Sequence, residues 1–469
     1  MKKLIPVLVL CCAGAIAQQH PAIAIRNAKI VTVSGPVIAK GTVVVRNGLI
    51  EAVGDNVQAP PDAMVIEGEG LTVYPGLIDS LSTWGQAGAA ATTVTAATGR
   101  GGRGTTTAPT ATPTPVQAVV IAPTTVSRGP EDRPQTTSWV KIADEISATD
   151  RRIESARSAG FTTAATFPTR GIFAGQGAII DLLTGERPGE MVVASPMGQY
   201  ISIGRGGFGG GFPSALMGYI AYIRQIYLDA DHYKMVKEAY ARDPRGMQRP
   251  DYDRALEGVL DSPRILLPAN RLVEIDRMLR FAAELKQPTI IYGGRETFRP
   301  EAAALLKKSN TPLLLSMRWP EKSRDADPDE TDSMRTLETR DKAALAPDVL
   351  TKAGVRWAFY SDGLDQPRDL QRAVKKAIDA GLSRDAALRA LTLSPAEIYG
   401  VANRLGSIEK GKIGNLVVTR GELFDDRTKV EAIIVDGRKF TPAPDTAPFG
   451  GRGTATDDPG NPGIAGGNR

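Results

Sequence analysis

Between residues 22 and 73, apolar and polar positions alternate with a period of two, in "AIRNAKIVTV", "GTVVVRNGLIEAVG" and "AMVIEGEGLTVYPG". That period is the mark of strands with one buried face. Asn47-Gly48 stands between two of the apolar runs. A type I′ turn needs positive φ at both central residues, so this pair predicts a hairpin. The texture returns near the other end in "GNLVVTRGE" and "KVEAIIVDGRKF", with Asp436-Gly437 as a turn. Each block is too small to bury its own face, so the two ends are expected to pair into one small β-domain.

Between the two blocks, short apolar runs alternate with stretches of helical period. "FTTAATF" and "GAIIDLL" read as strands, and a long helical region follows over about 213–243. Then come the strand "RILLPAN", a helix carrying Leu272, Ile275, Leu279 and Ala282 on one face, and the strand "PTIIYGG". The helix "RPEAAALLKK" and the strands "TPLLLSM" and "VRWAFYSDG", with further helices, complete the series. Strand-helix alternation of this length predicts an α/β parallel barrel with its function at the carboxyl ends of the strands. Two segments read as unstructured: a Thr/Gly/Pro-rich loop over 86–137 and a disordered tail over 442–469. The expected organisation is a leader at 1–17, half of the β-domain at 22–75, the barrel at 76–403 and the other half at 404–441.

Composition changes this picture at three points. The opening "MKKLIPVLVLCCAGAIAQQ" joins a lysine pair, an apolar run shorter than a membrane span and a small-x-small site at Ala15-Ile16-Ala17, which predicts a signal peptide cleaved after Ala17 and a secreted or periplasmic protein. A lipoprotein leader is the alternative, but bulky Leu10 and Cys11 precede the two cysteines. Both cysteines lie in that leader, so the mature chain would carry no disulfide, thiolate nucleophile or Cys-ligated zinc. The net charge of +5 falls to 5 − 2 = +3 without Lys2 and Lys3, an excess too small to imply a nucleic-acid partner. The Arg/Gly tracts at 99–104 and 204–212 read as flexible loops, and the G-x-G-x-x-G inside the second lacks the flanking strand of a dinucleotide site.

Several stretches together resemble the amidohydrolase superfamily, in its imidazolonepropionase-like and prolidase-like branch. They are "VYPGLID", "GFTT", "GQGAIIDLLTG", "SALMGYIAYIRQIYLDADHY", the Asp-Gly after Ser361 and "LTLSPAEIYGVANRLGSIEKGKIGNLVV", and they span nearly the whole mature chain in order. The resemblance implies a (β/α)8 TIM-like barrel with a small composite β-sandwich made from both ends. It also implies one or two divalent metals, held by four histidines and an aspartate, whose bound water attacks an amide, lactam or peptide carbonyl. A metal lowers the pKa of its water to about 7, which no side chain alone achieves.

Residue by residue, the family's ligand histidines fall on Leu81 and Thr83 of the first strand, on Pro268 and Asn270 of "LLPANR", and on Gly293 of "IIYGGRE". Asp362 alone matches a ligand position, and Ala194 lies near the place of the bridging lysine that some members carboxylate. The chain has two histidines in all, His20 and His232, so no register assembles the site. His20 reads as part of a mobile end and His232 as a partly exposed helix residue. The expectation is a protein without a metal cofactor, zinc entering only if a relocated site has arisen. Asp362 reads as a strand-end carboxylate satisfied by backbone donors or by Arg271, with a general-base role as the alternative. Asp79 reads as a structural turn residue, and Asp365 and Asp369 as N-capping or hard-ion company for Asp362. Arg271, Arg170 and Arg295 follow barrel strands and favour a small anionic or peptide-like ligand. Two readings result: a secreted pseudoenzyme that binds a ligand or an intact paralogue, and an amidohydrolase with a non-standard or relocated site.

Overall fold

The apolar faces of the two terminal blocks meet in one eight-stranded sheet in the computed structural model, which describes residues 21–86, 133–185, 187–204, 212–322, 331–425 and 427–442. The ladder runs Arg438–Phe440, Lys429–Val435, Leu416–Arg420, Thr72–Pro75, Ile23–Ile30, Ile38–Arg46 and Leu49–Gly54, with Met64–Glu67 also paired to Ile23–Ile30. The two ends join by antiparallel pairing of Val73 with Val418 and Pro75 with Leu416. Ile23, Ile25, Val43, Val45, Val73, Val418 and Ile434 form the core under this sheet. Both predicted turns take positive φ at each central residue, 50° and 78° at Asn47-Gly48 and 48° and 71° at Asp436-Gly437. The second turn closes Lys429–Val435 onto Arg438–Phe440.

"VYPGLID" belongs to two strands, Thr72–Pro75 in the terminal sheet and Leu77–Ser82 in the body. The chain crosses between them at Gly76, where a Cβ would stand 2.0 Å from Thr162 Oγ1. Only glycine lets the two layers approach so closely.

The body contains two sheets. Four strands run in the order Val192–Ala194, Ala178–Asp181, Phe161–Thr166, Leu77–Ser82. Six run Trp357–Tyr360, Leu313–Ser316, Thr289–Gly293, Ile265–Ala269, Gln199–Ile201, Phe173–Gln176. From Ile265–Ala269 to Trp357–Tyr360 neighbours are parallel and successive, with helices such as Leu272–Leu285 and Pro300–Ser309 between them. This is the mixed α/β architecture expected, but not an all-parallel closed barrel. Phe173–Gln176 is antiparallel to Gln199–Ile201, and Ala178–Asp181 to Phe161–Thr166. No ladder joins Leu77–Ser82 to Trp357–Tyr360. Side chains bridge that seam instead: Ser80 Oγ donates to the Phe359 carbonyl at 2.6 Å, and the Ser361 amide donates to Asp79 Oδ1 at 3.0 Å. Edge backbone groups that lack a strand partner are thereby satisfied.

Of the expected loop at 86–137, residues 133–137 are described and carry no helix or strand. Arg133–Thr137 is anchored, the Thr137 amide donating to the Phe173 carbonyl at 2.8 Å, while residues 87–132, the leader, most of both Arg/Gly tracts and the tail beyond Pro442 lie outside the described residues. The long helix spans Leu216–Arg242 and buries Tyr219, Tyr222, Ile223, Ile226, Tyr227 and Ala230. No described helix is long and apolar enough to cross a membrane.

Candidate functional site

Inward-facing residues of the body strands repeat every second position. Leu266, Ile290, Leu314 and Ala358 belong to one apolar cluster together with Ile78 and Leu81. Two residues further along the same strands, toward their carboxyl ends, stand Pro268, Tyr292, Ser316 and Tyr360. This end of the body is the mouth at which the family's site residues were expected.

The structure places the matched positions as follows. Leu81 is buried in the apolar cluster. Thr83 is turned to structural use, its Oγ1 and carbonyl accepting from the Arg152 guanidinium at 2.9 and 2.8 Å. Gly293 has φ +114°, and a Cβ there would lie 2.6 Å from Asn270 Oδ1. Asn270 thus fills the space that a side chain at position 293 would need, and the left-handed backbone disfavours any residue but glycine. Pro268 lies in its strand beside Tyr292, and Ala194 ends the short edge strand Val192–Ala194.

Asp362 itself adopts φ +51° at the end of Trp357–Tyr360. Its Oδ2 accepts from Ser316 Oγ at 2.7 Å and lies 3.8 Å from Arg295 Nη2. Arg318 holds the turn, Nε donating to the Asp362 carbonyl and Nη2 to the Gly363 carbonyl, each at 2.9 Å. The partners expected for Asp362 were backbone donors or Arg271; the Ser316 hydroxyl and Arg295 stand there instead. Arg271 stands instead at the N-terminal end of Leu272–Leu285, exposed and 3.9 Å from Glu274, because two strands, Thr289–Gly293 and Leu313–Ser316, separate it from the Asp362 edge. Arg170 is exposed in the loop after Phe161–Thr166. Of the three arginines, one reaches Asp362.

The remaining acids do not gather around Asp362. Asp365 Oδ1 accepts from Trp84 Nε1 at 3.0 Å, and Asp369 pairs with Arg372 at 3.4 Å in the first turn of Pro367–Asp379, whose N-cap is Gln366. Neither is the N-cap that their spacing suggested. Among the described residues no three His, Cys, Asp or Glu side chains are grouped to hold a metal ion. The divalent metals implied by the resemblance need several imidazole or carboxylate donors converging on one point, and Leu81, Thr83, Pro268, Asn270 and Gly293 with Asp362 do not fit them. His232 is exposed on the long helix, and His20 lies outside the described residues.

The mouth does contain groups that sequence reasoning passed over. Tyr200 and Tyr292 stack with ring centroids 5.2 Å apart and an interplanar angle of 27°, and Tyr292 OH donates to the Ile201 carbonyl at 3.0 Å. Burial raises the phenol pKa of Tyr200, Tyr292 and Tyr360, and the Asp362 charge adds to the effect at Tyr360. These groups are neutral hydroxyls at any physiological pH. The period-two alternation in "PTIIYGG" and "VRWAFYSDG" puts Tyr292 and Tyr360 on the inward face and was the signal available.

Two fully buried carboxyls lie away from the mouth surface. Asp79, at the seam, accepts through Oδ1 from the amides of Ser361 and Leu81, and burial pushes its pKa up to about 7. It lies within the strand Leu77–Ser82 rather than in the expected turn, and bonds across the seam to the Ser361 amide. Asp181 lies where body and terminal sheet meet: its Oδ1 accepts from Asn415 Nδ2 at 2.7 Å and Thr163 Oγ1 at 3.0 Å, and burial pushes it to about 7 as well. Asn415 Oδ1 in turn accepts from the Asp436 amide at 2.7 Å.

An α/β body whose strand ends converge on one mouth, joined to a sheet built from both chain ends, is the class of protein that the fold defines. Comparison then narrows it. Residues 297–442 match the model of the amidohydrolase family. The fold is similar to that of an amidohydrolase from Thermotoga maritima MSB8, with a TM-score of 0.70 and 25% identity over 90% of this chain and 100% of that one. It is similar in fold alone to an uncharacterized protein (TM-score 0.52, 16% identity, 90% and 100% covered) and to molinate hydrolase (0.50, 15%, 90% and 95%). No curated protein matches the chain. Together these findings support the amidohydrolase superfamily.

Proposed function

We propose that this chain is an exported pseudoenzyme of the amidohydrolase superfamily, its body a TIM-like barrel and its terminal sheet the superfamily's composite sandwich. Its mouth binds a small anionic or peptide-like ligand without hydrolysing it. The observation that supports this reading is the pair Gly293 and Asn270: the position that the resemblance matches to a metal ligand is a positive-φ glycine, and the Asn270 amide occupies the space a side chain there would need. Leu81 and Pro268, which the resemblance matches to two further ligands, carry no donor. Ligand recognition falls to Arg295 together with the hydroxyls of Tyr200 and Tyr360, a set able to donate to a carboxylate.

A second reading is favoured by one feature. The Asp362 carboxylate remains partly exposed, at 33% of its side-chain surface, beside Ser316 and Arg295, which is where a lone general base would serve a hydrolase with a relocated site. One experiment separates the two: metal content of the purified protein by mass spectrometry, with turnover of N-acyl amino acids and dipeptides in added zinc. The expected result is substoichiometric metal and no turnover. Stoichiometric zinc with hydrolysis abolished by Asp362→Ala overturns the pseudoenzyme reading.

A further inference from the structure

The long helix Leu216–Arg242 has two apolar stripes on opposite sides, and the body covers one of them. Tyr219, Tyr222, Ile223, Ile226, Tyr227 and Ala230 face the body. Met217, Ala221, Leu228, Met235 and Ala239 lie along the other side, within about 20° of a single line at 100° per residue. Met217 is 84% exposed, Leu228 56% and Met235 60%, and Ala221 is exposed too. An isolated exposed apolar residue is ordinary, but an apolar stripe running the length of a helix is a contact surface.

The spacing of this stripe says what would cover it. Met217 and Ala221 precede Leu228 by eleven and seven residues, and Met235 and Ala239 follow it by seven and eleven. The pattern is therefore symmetric about Leu228, with large residues on one arm set against small ones on the other. We propose that this helix pairs antiparallel with the same helix of a second copy of the chain, about a two-fold axis passing at Leu228. That axis lays Met235 on the partner's Ala221 and Met217 on the partner's Ala239, each contact made twice, so that large fills small.

Polar residues beside the stripe are self-complementary under the same operation. Arg224 and Asp231 lie on one flank, and the axis brings Arg224 beside the partner's Asp231. Gln225 and His232 lie on the other, and Gln225 meets the partner's His232. Asp231 is exposed and makes no ion pair among the described residues, while Arg224, paired with Glu284 at 2.9 Å through Nη2, has donors to spare. A parallel pairing would instead oppose Met235 to Met235 and Ala221 to Ala221, and would take Arg224 away from the partner's Asp231. From Met217 to Ala239 the helix runs about 33 Å. One helix pair sits at the low end of specific interfaces, near about 1,200 Å² in total, so the dimer is expected to dissociate in the micromolar range.

Sedimentation velocity of the full chain across that range is the first test, with a concentration-dependent monomer–dimer equilibrium expected. Leu228→Glu places two carboxylates on the axis and weakens association by roughly tenfold or more. Leu228 is exposed, so circular dichroism of this variant should match the parent. Direction is tested in a Cys11→Ser, Cys12→Ser background. Leu228→Cys is expected to link to its own kind under mild oxidation. Ala221→Cys and Met235→Cys are expected to link when mixed and not when alone. A monomer at every concentration, a dimer unaffected by Leu228→Glu, or Met235→Cys linking to itself in preference to the mixture overturns the proposal.

Discussion

At the mouth of the body, Leu81 is buried in an apolar cluster, Gly293 has positive φ, and Ser316 and Arg318 hold the turn at Asp362. At the joint between body and terminal sheet, Asp181, Thr163 and Asn415 keep a buried, fully engaged hydrogen-bond network that reaches on to the Asp436 backbone. The two regions use their polar groups differently: at the mouth Arg295 is exposed and Asp362 partly so, whereas at the joint the named groups are buried and hold two sheets together. Polar residues inside a fold serve architecture as well as chemistry, and the joint serves architecture.

The comparison is most open to attack at the joint. Asn415→Ala removes the donor to Asp181 and Thr163 and strands the Asp436 amide, and should destabilise the protein by about 3 kcal/mol, read as a lowered urea midpoint at constant slope. If stability is unchanged, the joint is not the rigid counterpart claimed for it.

Next in size is a change at the mouth. Gly293→His puts a histidine at the position the resemblance matches to a metal ligand, but it must adopt φ +114° and displace Asn270. A loss of about 1–3 kcal/mol is expected, with no gain of zinc in equilibrium dialysis. Tight stoichiometric zinc in this single variant would count against the proposed pseudoenzyme reading.

The third test uses pH. Asp79 and Asp181 have an ordinary pKa of 3.8 and are raised by burial to about 7 in the folded protein. Between these values the folded state holds protons that the unfolded state has released. Their contribution is therefore fully present below about pH 4 and is lost as pH rises through about 7. It is worth on the order of a few kcal/mol in all. Urea unfolding should show greater stability at pH 5 than at pH 8 from these two groups, and Asp181→Asn should flatten that slope. An unchanged slope in the variant would remove Asp181 from the account.

The smallest effect is expected at Arg295→Ala. The guanidinium is 44% exposed and 3.8 Å from Asp362, so stability should change by roughly 0.5 kcal/mol or less. Affinity for N-acetyl amino acids, measured by calorimetry, should fall if this arginine holds the ligand carboxylate.

Much of the architecture was legible along the chain, and the reasons are local. Asn47-Gly48 and Asp436-Gly437 announce their turns because few residues tolerate positive φ twice in succession. The strand-helix alternation through Ile265–Ala269, Thr289–Gly293 and Leu313–Ser316 is legible because each strand is a short apolar run beside an amphipathic helix. Strand direction was not legible. Periodicity says which side chains are buried, not which way the chain runs, so the antiparallel Ala178–Asp181 passed as a member of a parallel series, and Phe173–Gln176 was not read as a strand at all. At the mouth, the absence of histidine could be counted directly, whereas the pairing of Asp362 with Ser316 and Arg295 could not, because it joins the ends of three separate strands.

The antiparallel ladder between Val73 and Val418 bears on how the polypeptide is made. Translation delivers the edge at Thr72–Pro75 early and its mate at Leu416–Arg420 only near completion, so a nascent chain carries an open strand edge through most of its synthesis. Such an edge invites pairing with other chains. Newly made copies will need to be kept apart by a chaperone, or held extended, until the last strands emerge from the ribosome.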